Sequence, residues 1–275
     1  MMQKQKVAFI GAGSMAEAMI SGLLKRNMYH PDEIFITNRN NIERLTELKN
    51  KYRVTTSTNK EEVVKEADIV VLAMKPKDVV DGIQAIKPYI HENQLFISVL
   101  AGISTERITN LLDAHVPVVR AMPNTSAAIG FSATGIAAGK YATEKHIDIV
   151  TSIFDCIGIT TVTEEEELHA VTGLSGSGPA YIYYIVEAME DAAKDLNMNE
   201  AAAKDLIAQT LLGAAHMLRM SKDNCQTLRR KVTSPGGTTE AGIQTLDAFN
   251  VREAFQACIK RAAERSMELG KLNAE

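Results

Sequence analysis

Tryptophan is absent from this chain of 275 residues, and aromatic residues make up only 5% of it. A stacking platform for single-stranded nucleic acid needs a row of exposed rings, so the composition argues against one. Cysteine is scarce: Cys156, Cys225 and Cys258 stand far apart, and no C-x-x-C spacing supports a redox or zinc motif. Cys156 and Cys258 have apolar neighbours and read as small core residues. Reduced thiols fit a cytoplasmic protein. Charge of one sign is not in excess, because 30 Lys and Arg stand against 34 Asp and Glu, a net of −4. No overall field draws such a chain to nucleic acid or to an anionic membrane, so neither is expected as a partner. No apolar run reaches the length of a membrane span, and the polar Met1–Lys6 start lacks a signal-peptide core. Histidines 30, 91, 115, 146, 169 and 216 are scattered without metal-ligand spacing, and no metal is expected. G-x-S-x-G and H-E-x-x-H are both missing, which removes the serine-nucleophile and zinc-hydrolase patterns.

What is present is an ordinary globular balance of 45% hydrophobic and 23% charged residues, enough for one large core or two moderate ones. In the first half, strand signals at 6–10, 33–37, 54–57, 68–74, 95–99 and 117–121 alternate with helical periodicity at 15–28, 40–50, 60–66, 78–86 and 105–112. The run Asp68–Met74 is apolar and largely β-branched, which suits a strand buried on both faces. Such alternation predicts a doubly wound parallel sheet. After about Glu164 the strand signals stop and helices are expected over 179–196, 201–220, 226–231, 240–249 and 252–271. The acidic run Glu164–Glu167 reads as a solvated helix start. The predicted division is therefore 1–163 for a nucleotide-binding domain and 164–275 for an all-helical domain.

Two glycine-rich stretches carry the chemistry. Gly11-Ala12-Gly13-Ser14-Met15-Ala16 follows the first strand, which ends at Ile10, and opens the first helix. This is the dinucleotide fingerprint in its expected setting, with Gly11 for the tight turn, Gly13 for approach of the pyrophosphate, and Ala16 for close helix packing. At the end of the second strand, Thr37-Asn38-Arg39-Asn40 offers no acid for a ribose 2′-OH. Arg39 and Asn38 suit a 2′-phosphate instead, which favours NADPH, with NADH as the weaker cofactor; the alternative for Arg39 is a solvated surface charge. Ala73-Met74-Lys75-Pro76 and Val99-Leu100-Ala101 end later strands where ligands bind in such sheets, and Asn124 ends another, placed to hold a carboxamide or a substrate.

The second stretch is Val232-Thr233-Ser234-Pro235-Gly236-Gly237-Thr238-Thr239, between two predicted helices. Glycines let backbone N–H groups come close to a ligand, and the helix start that follows favours an anion. The plainer alternative is a helix–turn–helix connection with hydroxyl caps. Ser175–Gly178 likewise opens a long helix, either as a capped start or as a substrate contact.

Together with Arg120-Ala121-Met122-Pro123-Asn124 and Gly173-Leu174-Ser175-Gly176-Ser177-Gly178-Pro179-Ala180-Tyr181, these stretches resemble the pyrroline-5-carboxylate reductase family over nearly the whole chain. The resemblance implies a Rossmann-type doubly wound parallel sheet followed by an all-helical dimerisation domain. It implies NADPH-dependent reduction of 1-pyrroline-5-carboxylate to L-proline, with substrate near the dimer interface of a homodimer or a ring of dimers. It places Thr239 at the substrate, Gly236, Gly237 and Thr238 in the segment that holds the carboxylate, and Asn59 near the adenosine end of the cofactor; Thr238 is also expected to take part in catalysis beside Thr239, and Ser234 to contact the substrate. The chain departs from many relatives at Asn224-Cys225, where they carry His-Pro, and at Lys231, which puts the detail of that rim in question.

The reaction so implied is hydride transfer to an already electrophilic imine, so proximity and orientation carry it without a strong acid or base. A β-hydroxyacid dehydrogenase is the rival enzyme, but Tyr181–Met189 offers no catalytic lysine and Lys194 lies too far along. A non-catalytic NADPH-binding sensor is the rival of another class; it needs Gly11–Ala16 but not Pro235–Thr239.

Overall fold

The computed structural model describes residues 5–272. Its sheet has eight strands in the order β3-β2-β1-β4-β5-β6-β7-β8. The elements run β1 (Val7–Ile10), α1 (Ser14–Lys25), β2 (Ile34–Thr37), α2 (Ile42–Tyr52), β3 (Thr55–Thr56), α3 (Lys60–Val64), β4 (Ile69–Leu72), α4 (Val79–Ile86), β5 (Leu95–Ser98), α5 (Thr105–Leu112) and β6 (Val118–Met122). Then come β7 (Ser132–Ala138), α6 (Glu144–Asp155) and β8 (Gly158–Val162). From there the described residues form only helices: α7 (Leu168–Val171), α8 (Gly178–Asp195), α9 (Glu200–Met220), α10 (Cys225–Lys231), α11 (Thr238–Ala248) and α12 (Val251–Leu272).

The central strands are buried along their full length because helices cover both faces. Side chains alternate between two apolar layers. Val7, Phe9, Ile69 and Val71 meet α1, α2 and α6 through Ile20, Leu48 and Phe154. Ala8, Ile10, Val70 and Leu72 meet α3, α4 and α5 through Val64, Ile83 and Ile108. All strands from β3 to β6 pair in parallel. β7 is antiparallel to β6, and β8 is parallel to β7.

The segment 125–163 carries two strands that composition did not signal. β7 reads Ser-Ala-Thr-Gly-Ile-Ala-Ala, short of bulky β-branched residues. Its small side chains make room for α7: a Cβ on Gly135 would lie 2.9 Å from Val171 Cγ1 and 3.1 Å from Leu168 Cδ2. β6 also holds a surprise, since Arg120 is only 2% exposed. Its Nη1 lies 3.3 Å from Glu165 Oε1, and that carboxylate also accepts from the N–H and hydroxyl of Thr105 at the start of α5.

The chain packs as two compact units, Met1–Pro179 with Lys260–Glu275, and Ala180–Ile259. Residues after the last strand stay with the sheet because Leu168 and Val171 pack on Met122 and Ala137. In the second unit many large apolar side chains are exposed, among them Tyr184, Leu206, Met217, Leu246 and Phe249. Cys258, expected in a core, is exposed too, because its stretch of α12 presents an uncovered face.

Candidate functional site

β1 lies between β2 and β4, so the chain reverses its winding there, and a crevice opens beyond the strand ends. Ile10 pairs in register with Thr37 and with Leu72, which brings three loops to one edge. The groove they enclose has a volume of about 700 Å³. Ile10 to Met15 form its floor, Asn38 and Arg39 one wall, and Ala73, Met74 and Lys75 another. Those predicted cofactor residues are thus brought together. Pro76, Asn59 and Val99–Ala101 lie outside the lining. Asn59 caps α3 instead, its Oδ1 accepting from Glu61 N at 3.0 Å and its Nδ2 donating to Glu62 at 3.2 Å. Leu100 is buried in the core, next to the exposed Ala101.

The floor is built for a close anionic ligand. Gly11 has φ +118°, a conformation L side chains rarely adopt, and its N–H donates to Thr37 O at 2.8 Å. Gly13 caps α1 without a side chain, and nothing lies within 4 Å of where its Cβ would stand. A methyl there would occupy open space over the first turn of α1, where the free N–H groups of a helix start point. The residues present therefore fit a dinucleotide pyrophosphate. Lys60, which sequence reasoning did not single out, also lines the groove. Its Nζ donates to Thr37 Oγ1 at 2.9 Å, Asn38 O at 2.7 Å and Thr58 O at 3.2 Å. Burial lowers its pKa, yet among the described residues no carboxylate takes up its charge, so it adds positive potential to the site. Asn38 turns its side chain back, accepting from Asn41 N at 3.0 Å and donating to Asn41 O at 2.7 Å, which leaves one amide N–H for a ligand.

Behind the floor, Arg44 Nε donates to Ala12 O at 3.0 Å. Arg44 is itself held by Glu17, which also accepts from Lys51 at 2.8 Å and Tyr52 at 3.0 Å. Lys51 and Arg44 together bring the Glu17 pKa from 4.5 down to about 2. A carboxylate whose folded pKa is depressed stabilises the protein above its unfolded pKa, and that contribution fades as pH falls from about 4.5 through about 2. Glu17→Gln should therefore cost about 1–2 kcal/mol at pH 7, after allowance for solvent screening, and almost nothing at pH 2. Chemical denaturation of both proteins at the two pH values checks this; equal gaps at both would refute it.

The second predicted site lies in the other unit. Gly236 has φ +71° and Gly237 caps α11. The structure narrows the donors available there. Gly236 N–H already donates to Glu240 Oε2 at 2.8 Å, and Gly237 N–H closes a turn on Ser234 O at 3.0 Å. What faces out is the first turn of α11, with Thr238 and Thr239 both exposed and, among the described residues, without a partner for either hydroxyl. Ser234 is exposed beside them. Asn124 stands differently: it is 8% exposed, and its Nδ2 donates to Ser175 O at 3.0 Å while its Oδ1 accepts from Ser126 N at 3.1 Å. It thereby anchors Thr172–Gly176, a π-helical segment whose i→i+5 bond runs from Ser177 N to Thr172 O at 2.8 Å.

Comparison with known proteins bears on both sites. A family model described as pyrroline-5-carboxylate reductase dimerisation matches residues 165–269, and one described as NADP oxidoreductase, coenzyme F420-dependent, matches residues 6–102. The chain is 47% identical over 265 residues to pyrroline-5-carboxylate reductase 2 of Bacillus subtilis, covering 96% of this chain and 95% of that protein. Among solved structures it is similar to a pyrroline-5-carboxylate reductase from Coxiella burnetii, with a TM-score of 0.90 at 36% identity over 97% of this chain and 99% of the other. It is also similar to a Plasmodium falciparum pyrroline carboxylate reductase with NADP bound, with a TM-score of 0.88 at 26% identity over 98% and 100% of the two chains.

Proposed function

This chain belongs to the pyrroline-5-carboxylate reductase family, and on that premise we propose that it reduces 1-pyrroline-5-carboxylate to L-proline with NADPH. The observation that carries the reading is the joint presence, in one chain, of the glycine-floored groove over Gly11–Met15 and the exposed threonine-bearing start of α11. When bound, the reduced dinucleotide supplies the hydride; the imine carbon accepts it, and the protonated ring nitrogen becomes a secondary amine. The chain's own residues bind and orient. Gly13 and the α1 N–H groups hold the pyrophosphate, Lys60 adds charge, and Arg39 takes a 2′-phosphate, so that NADH serves less well. The first-turn N–H groups of α11 and the Thr238 and Thr239 hydroxyls hold the substrate carboxylate, with Ser234, Gly236 and Gly237 shaping the turn. The Thr239 hydroxyl bonds the ring nitrogen as the hydride arrives.

The functional division at 163/164 is part of this reading, supported by the match of the dimerisation model from residue 165. That model and the exposed apolar side chains of the second unit support a homo-oligomer, which we take to be a dimer or a ring of dimers. No described helix is long and apolar enough to cross a membrane, and we place the enzyme in the cytoplasm on the strength of its three unpaired cysteines. The direct test is loss of reduced-nicotinamide absorbance when 1-pyrroline-5-carboxylate is added. A saturable rate with L-proline as product is expected, faster with NADPH than with NADH. An unchanged spectrum at every substrate concentration would favour a non-catalytic binding protein.

A further inference from the structure

Arg39 reaches across the groove. Its Nη1 lies 3.6 Å from Asp78 Oδ1 and its Nη2 lies 3.4 Å from Asp81 Oδ2. Arg39 stands just past β2, whereas the two acids stand at the start of α4, and all three line the groove. The pairing therefore bridges one wall to the other. Lys60, by contrast, is held by a hydroxyl and two carbonyls. Acids in the first turn of a helix are favoured by the helix dipole wherever they point, so that preference does not explain why these two converge on the arginine.

We propose that Asp78 and Asp81 determine how strongly the enzyme discriminates NADPH from NADH, by competing with the 2′-phosphate for Arg39. The proposal rests on the reading that Arg39 receives that phosphate. Two carboxylates carry a charge close to that of a phosphate monoester, about −1.5 to −2 near neutral pH. The guanidinium therefore trades one set of acceptors for an electrically similar one, and part of the gain from the phosphate contact is cancelled. The same carboxylates repel the incoming phosphate. A cofactor without the phosphate leaves the Arg39 pairs in place and pays neither cost. Asp78 and Asp81 thus narrow the gap between the two cofactors.

The test is cofactor affinity, measured by nucleotide fluorescence on the full-length protein. Exposed ion pairs are each worth a factor of about 1.4 to 5. D78N/D81N should therefore tighten NADPH binding by about 3- to 10-fold and change NADH binding by less than about 2-fold. D81N alone should show part of that gain, which guards against a folding defect in the double variant. Adding R39A to D78N/D81N should remove most of the gain, because the acids then have nothing to withhold and only their direct repulsion of the phosphate is left to relieve. Three outcomes overturn the proposal. If R39A weakens NADPH binding but D78N/D81N leaves the NADPH-to-NADH ratio unmoved, Arg39 holds the phosphate and the acids do not compete for it. If both cofactors gain equally and still do so with R39A, the acids act only as general negative charge. If R39A leaves NADPH affinity unchanged, the premise about Arg39 falls, and the proposal with it.

Discussion

Gly11→Ala should leave a protein that binds no measurable NADPH and whose first unit melts roughly 10 °C lower, from a destabilisation of about 3 kcal/mol or more. Two independent costs combine. A Cβ on Gly11 would stand 2.4 Å from Ala73 O, 2.5 Å from Ala73 C and 2.7 Å from Met74 N. These are backbone atoms at the end of β4, and they cannot swing aside as a side-chain tip would. The φ of +118° adds backbone strain for any L residue. Relief requires parting β1 from β4 at their C-terminal ends, where Ala73 N–H donates to Ile10 O at 2.9 Å. That is the crevice itself, so stability and cofactor binding fail together.

Gly13→Ala separates the two effects. Nothing lies within 4 Å of its Cβ position, and its φ of −78° suits any residue. Thermal stability should stay within about 0.5 kcal/mol of the parent, while NADPH affinity falls by at least about 10-fold, because the methyl fills space the pyrophosphate needs. Calorimetry and nucleotide titration of the two variants decide the matter. A Gly13→Ala protein that binds NADPH as tightly as the parent would show that the pyrophosphate does not lie over Gly13.

The contrast marks what can be read from a chain alone. Gly11 and Gly13 are legible because both act locally, between a strand and the helix that follows it. Lys60 is not, because its work depends on reaching Thr37, which lies 23 positions away. Arg120 and Glu165 are further apart still, 45 positions, and only the folded sheet makes a buried arginine at the centre of β6 intelligible. Asn124 follows the end of β6 by two positions, but its amide is committed to Ser175 and Ser126. β7 is not legible in the chain because packing against α7 selects small residues over the bulky ones that mark a strand. At Gly236 and Gly237 the turn was legible, but not that Glu240 and Ser234 take up the two glycine N–H groups. On the proposed function, that last point puts substrate binding one step along, on the first turn of α11.

Thr239→Ala should accordingly lower kcat/KM by about 10- to 100-fold, the worth of one hydrogen bond to a charged group, while NADPH affinity stays at the parent value. Folding should not confuse the result. Thr239 is exposed, the helix is capped by Gly237 and not by Thr239, and alanine is the better helix former. The division of the effect between the two kinetic constants identifies the role. A hydroxyl that only grips the carboxylate binds ground state and transition state alike, so its loss raises KM and leaves kcat unchanged. A hydroxyl that bonds the ring nitrogen while the imine becomes an amine is felt most in the transition state, so its loss lowers kcat. The nitrogen role predicts the second pattern, with Thr239→Ser restoring most of the rate because the hydroxyl returns. Thr238→Ala, which removes the neighbouring hydroxyl, should act mainly on KM. Full activity in the Thr239→Ala protein would remove Thr239 from the reaction and leave the backbone N–H groups of α11 as the substrate's anchor.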